Sequence, residues 1–411
     1  MTSEPQGTWD PRFAEVADEL ARNLSERGEV GASLHVVVDG EVVADLWGGS
    51  RTAPAPPDGD PGAATAEPEP WEPDTAVVVY SCTKGATALA AHLLIDRGEL
   101  DLDAPVGDYW PEFATNGKDA ATVRMMLNHS VGVPALRERL PDGACTDWDL
   151  MCERLAAEEP WWEPGTRNGY HMLTFGWTVG ELVRRVSGRS LGRFFAEEVA
   201  GPLGADVWIG LPDAEAHRVA PVLQPIPDRR NLSRFTRVLL DDKGSLQRLA
   251  WLNTGGFDPN DPAVRRAEIG GGGGIATARG LARMYRPLAA DGGDLVSAAA
   301  VARMGDVSVA TGCDATLLLP TRFGLGFMKS MDNRRRPAGE RDSAVLSSAA
   351  FGHVGAGGSI GFADPAAGLS FGYVMNQMGN GILLNERGQA LVDATYRALG
   401  HTDDSTGTWI R

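Results

Sequence analysis

Ser81-Cys82-Thr83-Lys84 sets a hydroxyl and an amine three residues apart. On a helix, positions i and i+3 share a face, so the Lys84 amine reaches the Ser81 hydroxyl. A serine hydroxyl is a poor nucleophile until a base removes its proton. Lysine is such a base only once its pKa falls, and burial and the positive end of a helix dipole both lower it. The same residues also describe a Ser N-cap followed by a surface lysine, so the pair alone carries little. Its setting carries more. Thr75 to Tyr80 reads as a short apolar strand. After Ser81, the spacing of Ala86, Leu89, Ala90, Leu93 and Leu94 predicts a helix buried along one stripe and stopped at Gly98.

Three further motifs follow in order. Leu127-Asn128-His129-Ser130-Val131-Gly132-Val133-Pro134 comes first, then Glu163-Pro164-Gly165-Thr166-Arg167-Asn168-Gly169-Tyr170, then Gly352-His353-Val354-Gly355-Ala356. The ordered set resembles the class C β-lactamase and family VIII carboxylesterase group of serine hydrolases, with their penicillin-binding-protein-like fold. There the motifs run S-x-x-K, L-L-x-H-T-S-G-L-P, P-G-T-x-x-x-Y-x-N, and K-T-G or H-x-G. The resemblance extends from Asp39 to Asn376.

The resemblance implies Ser81 as the acylated nucleophile and Lys84 as its base, with Tyr170 sharing proton transfer as phenolate or relay. It implies an oxyanion hole from the backbone N–H groups of Ser81 and Ala356, with Gly355 permitting the close approach. His353 would stand where the K-T-G lysine does and orient Tyr170 or a carboxylate. One departure bears on substrate. The family's Asn, two residues after the tyrosine, is Met172 here. With His353 in place of lysine, two polar handles for a β-lactam are altered together, which points to an ester. Trp161 and Trp162 are candidates for lining an acyl pocket or for ordinary core. Related readings are a β-lactamase, an amide or D-peptide hydrolase, an acyltransferase or peptide cyclase, and a silent relative that binds through the same cleft. Retention of Ser81, Lys84 and Tyr170 together argues against the last.

Other motifs compete poorly. Gly357-Gly358-Ser359-Ile360-Gly361 is formally G-x-S-x-G, with Asp364 and His401 downstream, but a strand and hairpin are expected after Ser359 rather than the helix an elbow needs. Gly270 to Gly274 lacks a preceding strand and a G-K-[ST], which excludes a phosphate cradle; in the resembling family such a run begins a helix edging the cleft. Cys82 reads as a small buried filler. No two of the seven histidines stand four apart, so no metal is expected, nor any organic cofactor.

These residues need a scaffold. Phe13, Val16, Ala17, Leu20 and Leu24 predict a helix over Asp10 to Arg27. Ala32 to Val38 and Glu41 to Trp47, across Asp39-Gly40, predict a hairpin. Arg51 to Glu72 reads as a surface loop. The middle is mostly helical pattern, including Gly180 to Val186 and Ile275 to Leu288. Strands return at Phe323 to Met328, Ser359 to Ala363 and Leu369 to Asn376, with a last helix over Leu383 to Leu399. The expected class is α/β (α+β): a central antiparallel sheet built from both termini and flanked by helices, with a largely helical insertion. Residues 1–100 plus 321–411 form the sheet lobe, 101–320 the helical lobe, and the site lies between.

Composition fits an ordinary globular enzyme: 411 residues, 43% hydrophobic and 23% charged. The net charge of −17 repels phosphate backbones and anionic lipid, so no nucleic-acid or membrane partner is expected, only a small ester or amide substrate. The N-terminus lacks a secretory pattern and the four cysteines form no C-x-x-C, which suits a cytoplasmic protein with free thiols.

Overall fold

Asp39 and Gly40 both take positive φ, 49° and 86°, the primed turn that matches the twist of the strands on either side. The computed structural model describes residues 4–52, 68–226, 232–403 and 407–411. Its main sheet has strands β1 (Gln6–Trp9), β2 (Gly31–Val38), β3 (Glu41–Gly49), β4 (Phe351–Val354), β5 (Ile360–Asp364) and β6 (Leu369–Met375). The order is β1-β3-β2-β6-β5-β4, antiparallel throughout. The two ends of the chain meet where β2 pairs with β6, Val38 opposite Leu369 and Ala32 opposite Met375.

Strand alternation sorts the two faces. Phe362, Phe371 and Tyr373 point into one core, shared with helix α1 (Ala14–Glu26) and helix α5 (Glu386–Ala398). Ala363 and Val374 point into the other, shared with the helices of the chain's middle. On that second face Gly361 lies opposite Gly372. A Cβ on Gly372 would stand 2.2 Å from Ala278 O, so the glycine pair lets a helix press onto the sheet.

Helix α2 (Cys82–Asp96), α3 (Thr174–Ser187) and α4 (Ala278–Tyr285) pack there. Every residue of α2 from Cys82 to Leu94 is buried, rather than one stripe. It runs between β4 and α3, so it has no solvent face. Helix α4 lies on β6, β2 and β5 although it falls within 101–320.

Several boundaries differ from expectation. Of Thr75 to Tyr80, Val77–Val78 forms a strand, in a small ribbon with Ile275–Ala276 and Val207–Trp208, and Ala76 adds a single parallel bridge to Val219. The strand expected over Phe323 to Met328 is Thr321–Phe323, because Gly324 closes on Met304 O and Gly326 turns at φ 85°. β1 and β4 went unread: each has four residues, one of them glycine. Of the expected loop Arg51 to Glu72, residues 53–67 lie outside the described residues. No helix among the described residues is long and apolar enough to cross a membrane.

Candidate active site

Val77–Val78 leads to Tyr80, whose φ is +45°, and α2 begins two residues later. A left-handed tyrosine is strained. Its surroundings hold it: the phenol O–H donates to Met378 Sδ at 3.3 Å and the ring sits 6.1 Å from Phe257. This turn delivers Ser81 to the N-cap of α2, yet its side chain caps no backbone N–H. The hydroxyl is left for chemistry.

Lys84 is fully buried, with Nζ 2.9 Å from Ser81 Oγ, 2.5 Å from Met172 O and 2.6 Å from Gly271 O. Burial drives the amine's pKa well below the ordinary lysine value. A neutral amine has two N–H bonds and one lone pair. With the two carbonyls taking its N–H bonds, the amine in its neutral form would turn its lone pair to the Ser81 hydroxyl, to which the protonated amine donates. That is the geometry of a general base.

The Gly271 carbonyl reaches Lys84 because the glycine run has no side chains to hold it off. A Cβ at Gly271 would stand 2.2 Å from Leu173 O, and one at Gly274 would stand 2.5 Å from Thr83 Oγ1. The run does not begin a helix, as family resemblance had suggested. Val79 N–H donates to Gly274 O at 2.9 Å and the chain continues into the Ile275–Ala276 strand, so α4 starts only at Ala278.

Tyr170 and His353 complete the cluster. The phenol O–H donates to His353 Nε2 at 3.4 Å, while His353 Nδ1–H donates to Val354 O at 2.8 Å. Burial pushes the imidazole down to about 3, so it is neutral and accepts at Nε2. Burial raises the Tyr170 phenol well above its ordinary value, only partly countered by the Ser81 hydroxyl. The side chain is therefore a proton-bearing phenol, suited to relay rather than to a standing phenolate. Lys84 Nζ lies 4.7 Å from the centre of its ring.

A Cβ on Gly355 would stand 2.2 Å from Val79 O, so only glycine lets the end of β4 close on the strand before Ser81. The N–H groups of Ser81 and of Ala356 donate to no acceptor among the described residues. Free N–H groups on the nucleophile and on the facing strand end are what an oxyanion hole requires.

Other candidates have different duties. Met172 serves through its main-chain oxygen, on Lys84. Trp161 Nε1–H donates to Ala135 O with its ring under Arg137, and Trp162 Nε1–H donates to Ser130 O. Neither lines the groove of about 560 Å³ that opens beside Ala356. Its walls include Phe235, Leu239, Trp251, Met378 and Ile382. No motif marks these residues; the one signal is the i, i+4 spacing of Phe235 and Leu239 on the helix Arg234–Asp241.

Ser359 is buried with no partner for its hydroxyl, at the mouth of a strand. Asp364 is taken by the hydroxyls of Ser347 and Tyr396, and His401 packs on Tyr396, so no second triad forms. Cys82 stays a thiol, its pKa pushed up to about 12 by burial, and donates to His353 O. No group of three or more metal-ligating side chains occurs among the described residues.

Residues 17–394 match the beta-lactamase family. The chain is 35% identical over 394 residues to the esterase/beta-lactamase LipL of Mycobacterium tuberculosis, covering 90% of this chain and 83% of the relative. Among solved structures, a family VIII carboxylesterase superposes with a TM-score of 0.80 at 39% identity, over 96% of this chain and all of that one. A penicillin-binding protein homolog from Caulobacter crescentus gives 0.80 at 34% identity, over 96% and 99%.

Proposed function

The chain belongs to the beta-lactamase family and is a serine hydrolase, and from that premise we propose that it cleaves carboxylic esters of small to medium acyl groups through an acyl-enzyme on Ser81. The observation that carries this reading is the Lys84 amine, fully buried, with Nζ on the carbonyls of Met172 and Gly271 and 2.9 Å from the Ser81 hydroxyl. Ser81 Oγ attacks the ester carbonyl as its proton passes to Lys84. The tetrahedral oxygen is stabilised by the N–H groups of Ser81 and Ala356. Collapse breaks the bond to the alkoxy oxygen, which takes a proton through Tyr170. Water then repeats the sequence against the acyl-enzyme.

Two features favour an ester over a β-lactam. Met172 offers no side-chain amide at the position where the family carries Asn, and a buried polar group left unpaired costs about 1–3 kcal/mol. His353, neutral and turned toward Tyr170, supplies no cation to a lactam carboxylate. A simple ester loses neither contact. The leaving group must face Tyr170, its proton source, so the acyl chain points away from it. The groove beside Ala356, which Tyr170 does not line, receives the acyl chain.

Side-by-side assay of p-nitrophenyl esters, a chromogenic cephalosporin and D-amino-acid amides tests this. Short-chain aryl esters are expected to exceed the cephalosporin in kcat/KM by at least about two orders of magnitude, near 2.7 kcal/mol. Preference for the cephalosporin or the amides sinks the ester reading. A fluorophosphonate should add one adduct to the intact mass, and none to Ser81→Ala.

A further inference from the structure

Tyr170 sits in irregular chain: residues 163–173 belong to no helix and no strand. Its main-chain groups therefore find partners outside any ladder. The N–H of Tyr170 lies 3.0 and 3.1 Å from the two carboxylate oxygens of Asp314. The same carboxylate accepts the N–H groups of Thr316 and Leu317, each at 2.9 Å, and the Thr321 hydroxyl at 3.3 Å. A second tie, Ala315 N–H to Asn168 O at 3.0 Å, fastens the same two segments together.

Asp314 is fully buried and pairs with no Lys, Arg or His among the described residues. A carboxylate buried without a cation is costly to keep, and burial pushes its pKa up to about 6. Four donors, one of them shared by both oxygens, offset that cost. All four partners are donors, so an acceptor-only group fits where an amide would turn its NH₂ against an N–H. A neutral acceptor is enough to close a turn. Oδ1 takes the N–H groups of Thr316 and Leu317 and shares that of Tyr170 with Oδ2, which also takes the Thr321 hydroxyl, so both oxygens hold Tyr170.

We propose that Asp314 is the positioning residue of Tyr170, fixing the phenol's reach between Ser81 and His353 and so its delivery of a proton to the departing alkoxide. Asp314 touches no substrate. The inference rests on the proposed ester hydrolysis with Tyr170 as relay. Proton balance is closed: the Ser81 proton moves to Lys84, from Lys84 to Tyr170, and from Tyr170 to the alkoxy oxygen as its bond to carbon breaks.

The leaving group reads out this role. An alkoxide leaves only with a proton, whereas p-nitrophenolate leaves without one. In the full-length protein, kcat/KM is measured for an ethyl ester and a p-nitrophenyl ester of one acid. Asp314→Asn is expected to lower the ethyl-to-nitrophenyl ratio by about tenfold or more, in the same direction as Tyr170→Phe. A purely structural role lowers both esters alike. If Tyr170→Phe leaves the ratio unchanged, the relay reading itself fails. If Tyr170→Phe moves it and folded Asp314→Asn does not, the positioning role alone is overturned. Should Asp314→Asn not fold, Thr321→Val decides: a shift of about threefold or more in the same direction supports the role, and an unchanged ratio overturns it.

Discussion

Two lysines of this molecule are completely buried and both are held by main-chain carbonyls, yet they do different work. Lys118 Nζ donates to Thr115 O, Ala156 O and Glu158 O. Three acceptors demand three N–H bonds, so Lys118 must remain an ammonium. Burial lowers its pKa, but the Glu158 and Glu159 charges oppose that. It ties off the end of the helix Trp148–Ala157. Lys84 has two carbonyls and, in the third place, a hydroxyl that donates as readily as it accepts. It can lose a proton without stranding a partner. Burial alone would not make a lysine a base; in the proposed mechanism the identity of its third neighbour does.

The largest effect should separate the two by charge. Guanidinium cannot be deprotonated in a protein. Lys84→Arg is therefore expected to lose at least about 10³-fold in kcat/KM, nearly as much as Lys84→Ala. Lys118→Arg should stay within about threefold. Wild-type turnover in Lys84→Arg breaks the comparison outright.

Stability should separate them the other way. Lys118→Met leaves three carbonyls short of a donor and is expected to cost about 1–3 kcal/mol in denaturant unfolding, with kcat unchanged in the folded fraction. A fall in kcat without a fall in stability would place Lys118 in the chemistry.

A smaller effect is the pH dependence of stability. The folded pKa of Lys84 is depressed, so between that value and the free-lysine value of about 10.4 the unfolded chain binds a proton the folded chain does not. Stability from this group rises with pH across that window. Thermal scans should show the wild type gaining on Lys84→Met, on the order of a few °C from about pH 7 to pH 10. A wild type that gains nothing on the variant between pH 7 and pH 10 means the buried lysine keeps its proton across that range.

The smallest effect concerns the serine that lacks a base. Ser359→Ala removes a buried hydroxyl that has no partner, so stability should change by no more than about 0.5 kcal/mol and ester turnover should persist. Loss of turnover in a folded Ser359→Ala protein would move the nucleophile there.

What could be read from residues and what could not follow one physical rule. Ser81, Lys84, Tyr170 and His353 were legible as candidates because each is a side chain whose type the proposed chemistry requires, and the structure brings the four together. The carbonyls of Met172 and Gly271 were not, since any residue supplies a carbonyl and only the fold aims it. Asp314 lies 144 residues from the tyrosine it holds, with no motif around it. The hairpin at Asp39-Gly40 and the β5–β6 pair were legible from local turn chemistry. Strand β4 was not, because four residues with a glycine among them show no alternation. Trp161 and Trp162 illustrate the converse: conspicuous side chains whose N–H groups are spent on nearby carbonyls.

The pairing of β2 with β6 has a consequence for synthesis. β2 is made among the first 38 residues, but the strand that covers its second edge ends at Met375. Until then the nascent chain presents an apolar strand with open hydrogen-bonding groups, the kind of edge that recruits other chains. Closing a loop of that length is slow relative to local hairpin formation. β4, which brings His353 toward Ser81, joins the main sheet through β5, and β5 joins it through β6. Ser81 is thus translated about 270 residues before β4 begins at Phe351, and is framed by its sheet only once β4 to β6 have been made. An unfinished chain carries the hydroxyl without its oxyanion hole, and expression of this protein should respond to chaperone supply more than its ordinary composition would suggest.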